Sequence, residues 1–209
     1  MRPSPFAQWP QAWNDSRFRL TAIVLAFFLP VTLLVFRAFL DVVELRQGVV
    51  LVDPLLPFLT PVDLTWITFG LIYGGLVFAI IRLLPQPSLL LRMIAAYIIL
   101  VLIRMACMYA VPLEPPPGAI PLVDPFVEFF GAPGTTLTRD LFFSGHTAIL
   151  FLLGLGMPAR NISFLLFLAT GAVAVCVLVQ HVHYTIDVLV APLAAYAAFR
   201  LGVISISVR

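Results

Sequence analysis

LFFSGHTAILFLLGLGMPARNISFLLFLATGAVAVCVLVQHVHYTIDVLVAPLAAYAAFRLGVI, residues 141–204, decides the fold. Three apolar runs follow one another, broken by the turn Pro158-Ala159-Arg160-Asn161 and by a short polar string after Gln180. A helix needs about 20 apolar residues to cross a bilayer. Three further runs upstream meet the same test. The expected spans are 18–40, with Pro30 as a kink, then 63–84, 89–111, 141–157, 162–180 and 185–204. Composition agrees: 62% of the 209 residues are hydrophobic and 11% are charged, against about 25% charged in a soluble domain. Mean hydropathy is +1.08. The expected fold is an all-α membrane protein of six transmembrane helices. It divides into an N-terminal cytoplasmic or interfacial segment, 1–17, a six-span catalytic membrane domain, 18–204, and a tail, 205–209.

All twelve basic residues are arginine, which genome composition explains, and their placement sets the topology. Arg2, Arg17, Arg19, Arg82, Arg92, Arg160, Arg200 and Arg209 fall on one side of the spans, and Arg46 and Arg139 on the other. The positive-inside rule makes the first side cytoplasmic. Asp41, Glu44, Asp53, Asp63, Glu114, Asp124, Glu128, Asp140 and Asp187 fall on or near the outer side, and only Asp15 inside. Both termini are then cytoplasmic. No cleavable signal pattern precedes the first span, which is expected to serve as an uncleaved anchor. Trp9 and Trp13 suit the membrane interface. Cys107 and Cys176 lie in apolar runs and read as core hydrophobes rather than a disulfide or metal pair. Two loops, 41–62 and 112–140, carry Leu55, Leu56, Phe58, Phe126, Phe129 and Phe130. They are too apolar for free linkers and are expected to lie on the membrane surface and shape a substrate entrance. Nothing in the net charge of +2 points to nucleic acid.

Against this background two strings stand out, Ser144-Gly145-His146-Thr147 and His183-Tyr184-Thr185-Ile186-Asp187. Both lie where a span meets an outer loop. Ionisable groups at such depth are costly and mark function by default. Arg104 lies twelve residues beyond Arg92, about 18 Å along a helix, which brings it to the layer of His146. Arg104, His146, His183 and Asp187 thus come from four spans to one layer near one face. Asp187 follows His183 by four positions, on the same helical face. A carboxylate that accepts one imidazole N–H fixes the tautomer and leaves the other nitrogen free to attack. His183 reads as a nucleophile for phosphoryl transfer, Asp187 as its orienting partner, and His146 as general acid and then base. Ser144 and Gly145 open a helix whose free N–H groups and dipole favour phosphate. Arg104 reads as a bidentate phosphate clamp, or as a structural arginine paired with an acid. Arg139 and Asp140 are further candidates for the phosphate-binding layer. His181 could be a third site member, but such a histidine more often caps a helix end and it is left out of the catalytic set; Ser144 is either a phosphate contact or a cap. Tyr109 and Tyr184 read as interfacial aromatics. The scheme needs no metal and no cofactor. The rival from another class is a metal-binding transporter, with His146, His181, His183 and Asp187 as zinc ligands.

The segment Arg139-Asp140-Leu141-Phe142-Phe143-Ser144-Gly145-His146-Thr147 resembles the Gly-Asp-x-x-x-Ser-Gly-His-Thr motif of the sphingomyelin synthase branch of the phosphatidic acid phosphatase type 2 (PAP2) superfamily. His181-Val182-His183-Tyr184-Thr185-Ile186-Asp187-Val188 is similar to that branch's His-Tyr-Thr-x-Asp-Val motif. The third span, with Arg92, Arg104, Met108 and Tyr109, and the segment Leu59-Thr60-Pro61-Val62-Asp63 resemble other motifs of the branch more loosely. The chain departs from the pattern at Arg139, where the family has glycine, and at Thr138, where it often has cysteine. It also lacks the lysine-bearing motif and the Ser-Arg pair of the superfamily's phosphatases, with Cys176 and Val177 about where that pair would fall. The resemblance implies six spans, a non-cytoplasmic site and a His-His-Asp triad, here His146, His183 and Asp187, in a bacterial member. It implies a phosphotransferase that moves a phospho-headgroup from a glycerophospholipid to a lipid hydroxyl, such as that of ceramide or diacylglycerol. The alternative is a lipid phosphatase or phospholipase C-like hydrolase with the same triad. Its partners would be phospholipid and lipid-alcohol substrates and the bilayer. The expected location is the cell's inner membrane, with the site on the periplasmic side.

Overall fold

The structure, a computed structural model, describes residues 6–124 and 137–206. Phe126, Glu128, Phe129 and Phe130 lie outside the described residues, as do Arg2 and Arg209. Among the described residues there are seven α-helices: α1 Gln8–Asn14, α2 Ser16–Glu44, α3 Thr65–Leu83, α4 Pro87–Ala110, α5 Gly145–Leu155, α6 Arg160–Val179 and α7 Thr185–Ser205. A single 3₁₀ turn, Leu56–Phe58, interrupts the loop between α2 and α3.

Five helices, α2, α3, α4, α6 and α7, are long and apolar enough to cross a membrane. Their outward faces carry large apolar side chains, with Leu34 71% and Phe164 62% exposed. Such exposure is explained by lipid rather than water, and the chain is membrane-integral. The run 141–157, expected as a fourth span, is helical over only 11 residues. That is about 16 Å of helix, half a hydrocarbon core. Both ends of the run have other uses. Asp140 and Phe143 give their carbonyls to Arg104, Ser144 caps the helix, and Gly156 and Pro158 close it. Within the N-terminal segment, α1 folds back so that the Trp9 indole N–H donates to the Leu84 carbonyl at 2.7 Å. Trp9 and Trp13 both meet the buried Phe18 ring edge-on. Asp15 caps α2 by accepting from Arg17 N at 2.8 Å, and α2 runs through Pro30 to Glu44.

Small residues set how closely the bundle packs. α7 buries Ala191, Ala194, Ala195, Ala198 and Gly202 along one stripe. It lies most extensively on α4, which answers with Ala95 and Ala96. A Cβ on Gly202 would stand 2.7 Å from the Ala96 backbone, so the two axes approach as closely as glycine permits. α5 packs between α6 and α7, with Leu150 and Leu152 fully buried in the main core. This places the N-terminus of α5, the α6–α7 turn and the C-terminal end of α4 side by side.

Candidate active site

The α6–α7 turn is built by Gln180 and His181. The Gln180 side chain accepts from Leu64 N at 3.1 Å and donates to Thr65 Oγ1 and the Ile120 carbonyl. His181 takes a left-handed conformation, φ 57°, which reverses the chain. Its ring nitrogens face the carbonyls of Pro117 and Leu59, each at 3.1 Å. His181 therefore ties the loop that carries Pro117 to the loop that carries Leu59 and is not turned toward the other histidines.

His183 follows, buried at 2% exposure. Its Nδ1 faces Asp187 Oδ2 at 3.4 Å, the long end for a hydrogen bond. Catalytic hydrogen bonds in unliganded sites are often long and tighten with substrate. The same Oδ2 accepts from Tyr184 N at 2.9 Å, which locks the carboxylate to the first turn of α7. The His146 ring stands 5.9 Å, centroid to centroid, from that of His183, and the Phe69 ring meets His146 edge-on. Two buried polar atoms here have no protein partner among the described residues, His146 Nδ1 and Asp187 Oδ1. Buried polar groups are nearly always satisfied, and the exceptions call for an explanation such as a role in binding or catalysis.

Arg104 reaches the same layer from α4. Its Nε donates to the Phe143 carbonyl at 3.1 Å. One Nη donates to the Asp140 carbonyl at 2.8 Å and pairs with the Asp140 carboxylate at 3.1 Å. The other Nη lies against Gly145: a Cβ there would stand 2.6 Å from it. The glycine thus makes room for a guanidinium at the N-terminus of α5. Ser144 is the cap of that helix, its Oγ accepting from Thr147 N and Thr147 Oγ1. Asp140 serves as the ion-pair partner of Arg104. Arg139 is engaged elsewhere, with Glu114 through Nε at 2.9 Å and with the Glu44 carbonyl. Of the residues read from sequence, the structure brings together Arg104, Gly145, His146, His183 and Asp187.

Sequence reading missed the shell that holds these groups. The Glu44 carboxylate, at the end of α2, accepts from Thr138 N, Thr138 Oγ1 and Arg139 N. Gly48 meets Leu113 so closely that a Cβ would overlap its carbonyl carbon, and Gly48 N donates to Glu114 at 2.9 Å. That bond and the Arg139 pair hold the Glu114 carboxyl below its usual pKa. Tyr184 OH donates to the Glu114 carbonyl and accepts from Leu51 N. Asp53 accepts from Thr185 N and Oγ1. Tyr73, stacked on Phe69, donates to Asp124 at 2.6 Å. The Asx-turn potential of Asp53-Pro54 was visible in the chain, but its partner 132 residues away was not. Among the described residues no group of three or more His, Cys, Asp or Glu is arranged to hold a metal ion.

Fold and site together define a membrane-integral helical protein with two histidines, an aspartate and an arginine gathered at the ends of its helices. Residues 139–203 match a family model described as PAP2 superfamily C-terminal. The match runs from Arg139 through both histidines into α7. The matched stretch is similar to the C-terminal part of that superfamily and covers less than half of the chain. No curated protein and no solved structure matches the chain.

Proposed function

We propose that this chain is a phosphotransferase of the sphingomyelin synthase type. It moves a phospho-headgroup from a glycerophospholipid to a lipid hydroxyl through a phosphohistidine on His183. One observation carries the reading: His183 Nδ1 faces a buried carboxylate while the His146 ring stands beside it. Asp187 holds the Nδ1–H tautomer, so Nε2 attacks phosphorus. His146 protonates the departing diacylglycerol oxygen and then takes the proton of the incoming hydroxyl. Arg104 and the first N–H groups of α5 receive the phosphoryl oxygens. The charge balance favours a phosphodiester, which carries one negative charge, over a phosphomonoester. Arg104 is the cation at the N-terminus of α5, and Asp140 already offsets it. The arginine distribution supports a site on the periplasmic side of an inner membrane.

Hydrolysis by the same intermediate is the second reading, favoured by the superfamily match, since that superfamily is largely one of lipid phosphatases. The test uses purified protein in liposomes of phosphatidylcholine, phosphatidylethanolamine and phosphatidylglycerol, with and without ceramide or diacylglycerol, in chelator. Lipid products are read by mass spectrometry. A new phospho-headgroup lipid that requires the acceptor and is lost in His183→Ala is the expected result. Free phospho-headgroup, indifferent to acceptor, makes the enzyme a hydrolase. No turnover of any lipid, phosphatidic acid included, overturns both.

A further inference from the structure

Helix N-termini leave backbone N–H groups without intrahelical partners, and a Ser, Thr, Asp or Asn at the N-cap usually supplies one. The N-cap of α7 is Tyr184, whose hydroxyl is committed to Leu51 N and the Glu114 carbonyl. Within the turn the Asp187 carboxylate accepts from Tyr184 N, and a second carboxylate reaches the helix from another part of the chain. Asp53 lies in the loop 45–64, 132 positions from Thr185, and its carboxylate accepts from Thr185 N at 2.6 Å and from Thr185 Oγ1 at 2.8 Å. It also accepts from Leu55 N and Leu56 N, so one carboxylate fixes its own turn and the first turn of α7 together. Asp53 is 8% exposed. Burial alone would raise its pKa, but the bonds from Thr185, Leu55 and Leu56 outweigh that and hold the carboxyl below its usual value. The negative charge also sits at the positive end of the α7 dipole.

Thr185 lies between His183 and Asp187 in the turn that sets their separation. The His183–Asp187 contact is already long, 3.4 Å, so a small shift of this turn breaks it. We infer that Asp53 is a positioning residue for the His183–Asp187 pair, docking the loop 45–64 onto α7 and holding Asp187 against His183 Nδ1. The inference rests on the proposed role of His183. A cap that only stabilised the helix would change folding and leave the histidine unaffected.

The test is Asp53→Asn in the full chain, with Thr185→Val as a milder variant. An asparagine turns one acceptor into a donor, so either the Thr185 N bond or the Leu55 and Leu56 N bonds must be lost. Valine at 185 removes the hydroxyl bond and keeps the N–H bond. Three readouts are taken on folded protein in nanodiscs: phospholipid turnover, amide hydrogen exchange across 183–189, and ¹⁵N signals of the three histidines. For Asp53→Asn we expect kcat to fall about 100-fold, the cost of a displacement near 1 Å. KM should stay within about threefold, as expected when uniform substrate binding is kept. Exchange at Thr185 should quicken, and the His183 ¹⁵N signals should leave the Nδ1–H tautomer. Thr185→Val should shift all three the same way by less. Faster exchange with unchanged His183 signals and kcat would overturn the inference and leave Asp53 a helix cap. A wild-type chain inert toward every lipid would instead refute the proposed function. The His183 signals of Asp53→Asn would still decide the positioning claim.

Discussion

Gly145→Ala adds one methyl group at the point where two helices meet the site. The new Cβ would stand 2.6 Å from one Arg104 Nη, 2.7 Å from Cζ and 3.1 Å from Nε. A guanidinium is the mobile end of a side chain, and on open ground it would swing aside. Here it is held by the Phe143 carbonyl, the Asp140 carbonyl and the Asp140 carboxylate, and its side chain is 11% exposed. Yielding means losing charge-assisted hydrogen bonds, each contributing about 1.5–3 kcal/mol. Staying means overpacking, at about 1–3 kcal/mol. Either route gives a destabilisation of about 2 kcal/mol, whereas alanine is ordinarily the better helix former by about 1 kcal/mol. Displacement of Arg104 should also lower kcat by about 10²–10³, the usual loss when a transition-state donor is removed. The decisive assay is a double-mutant cycle with Arg104→Ala, read by unfolding in mixed micelles. In the Arg104→Ala background Gly145→Ala should be neutral or slightly stabilising. An equal cost of Gly145→Ala in both backgrounds would refute the steric reasoning.

Other positions give sharp expectations. Gly202→Ala should destabilise by about 1–3 kcal/mol despite alanine's helix propensity, because its Cβ would meet the Ala96 backbone at 2.7 Å. A raised unfolding midpoint would show that α4 and α7 can separate freely. Arg139→Ala should leave KM for phospholipid within about threefold and cost less than about 1 kcal/mol, as for partly exposed pairs, since its partners are Glu114 and the Glu44 carbonyl. A large KM rise would return Arg139 to the phosphate-binding set. Asp53 and Glu114 both have folded pKa values below their usual ones. Their stabilisation is complete above the unfolded value, about 4, and is lost as pH falls through the folded value. Acidification below about pH 4 should therefore lower the midpoint, and Asp53→Asn should flatten that slope. Superimposable pH curves would count against the Asp53 tether.

The grouping of His146, His183, Asp187 and Arg104 was legible because membrane spans carry few polar residues. The twelve-residue register from Arg92 then sufficed to bring Arg104 to the right layer. Five of the spans were legible from apolar length alone. The shortness of α5 was not, because Leu141, Phe142 and Phe143 are as apolar as any span. Their backbone is drawn into service by Arg104 from a different helix, and no local pattern announces that. The same holds for Gly145, which read as a place for close approach to phosphate and stands against a guanidinium. Asp53, Glu44 and Tyr73 act through hydrogen bonds to distant partners, and such contacts carry no periodicity. The partners of His181 were hidden for a related reason: two backbone carbonyls, from loops with no sequence signature, claim both of its nitrogens.

The most direct test of the central claim is to trap the intermediate. The wild-type protein would be mixed with headgroup-labelled phosphatidylcholine, without acceptor, quenched rapidly at alkaline pH and digested for peptide mass spectrometry. The account predicts a phospho-headgroup adduct on His183, absent in His183→Ala and discharged when ceramide or diacylglycerol is supplied before the quench. Steady lipid turnover with no adduct, or an adduct on His146, would contradict it.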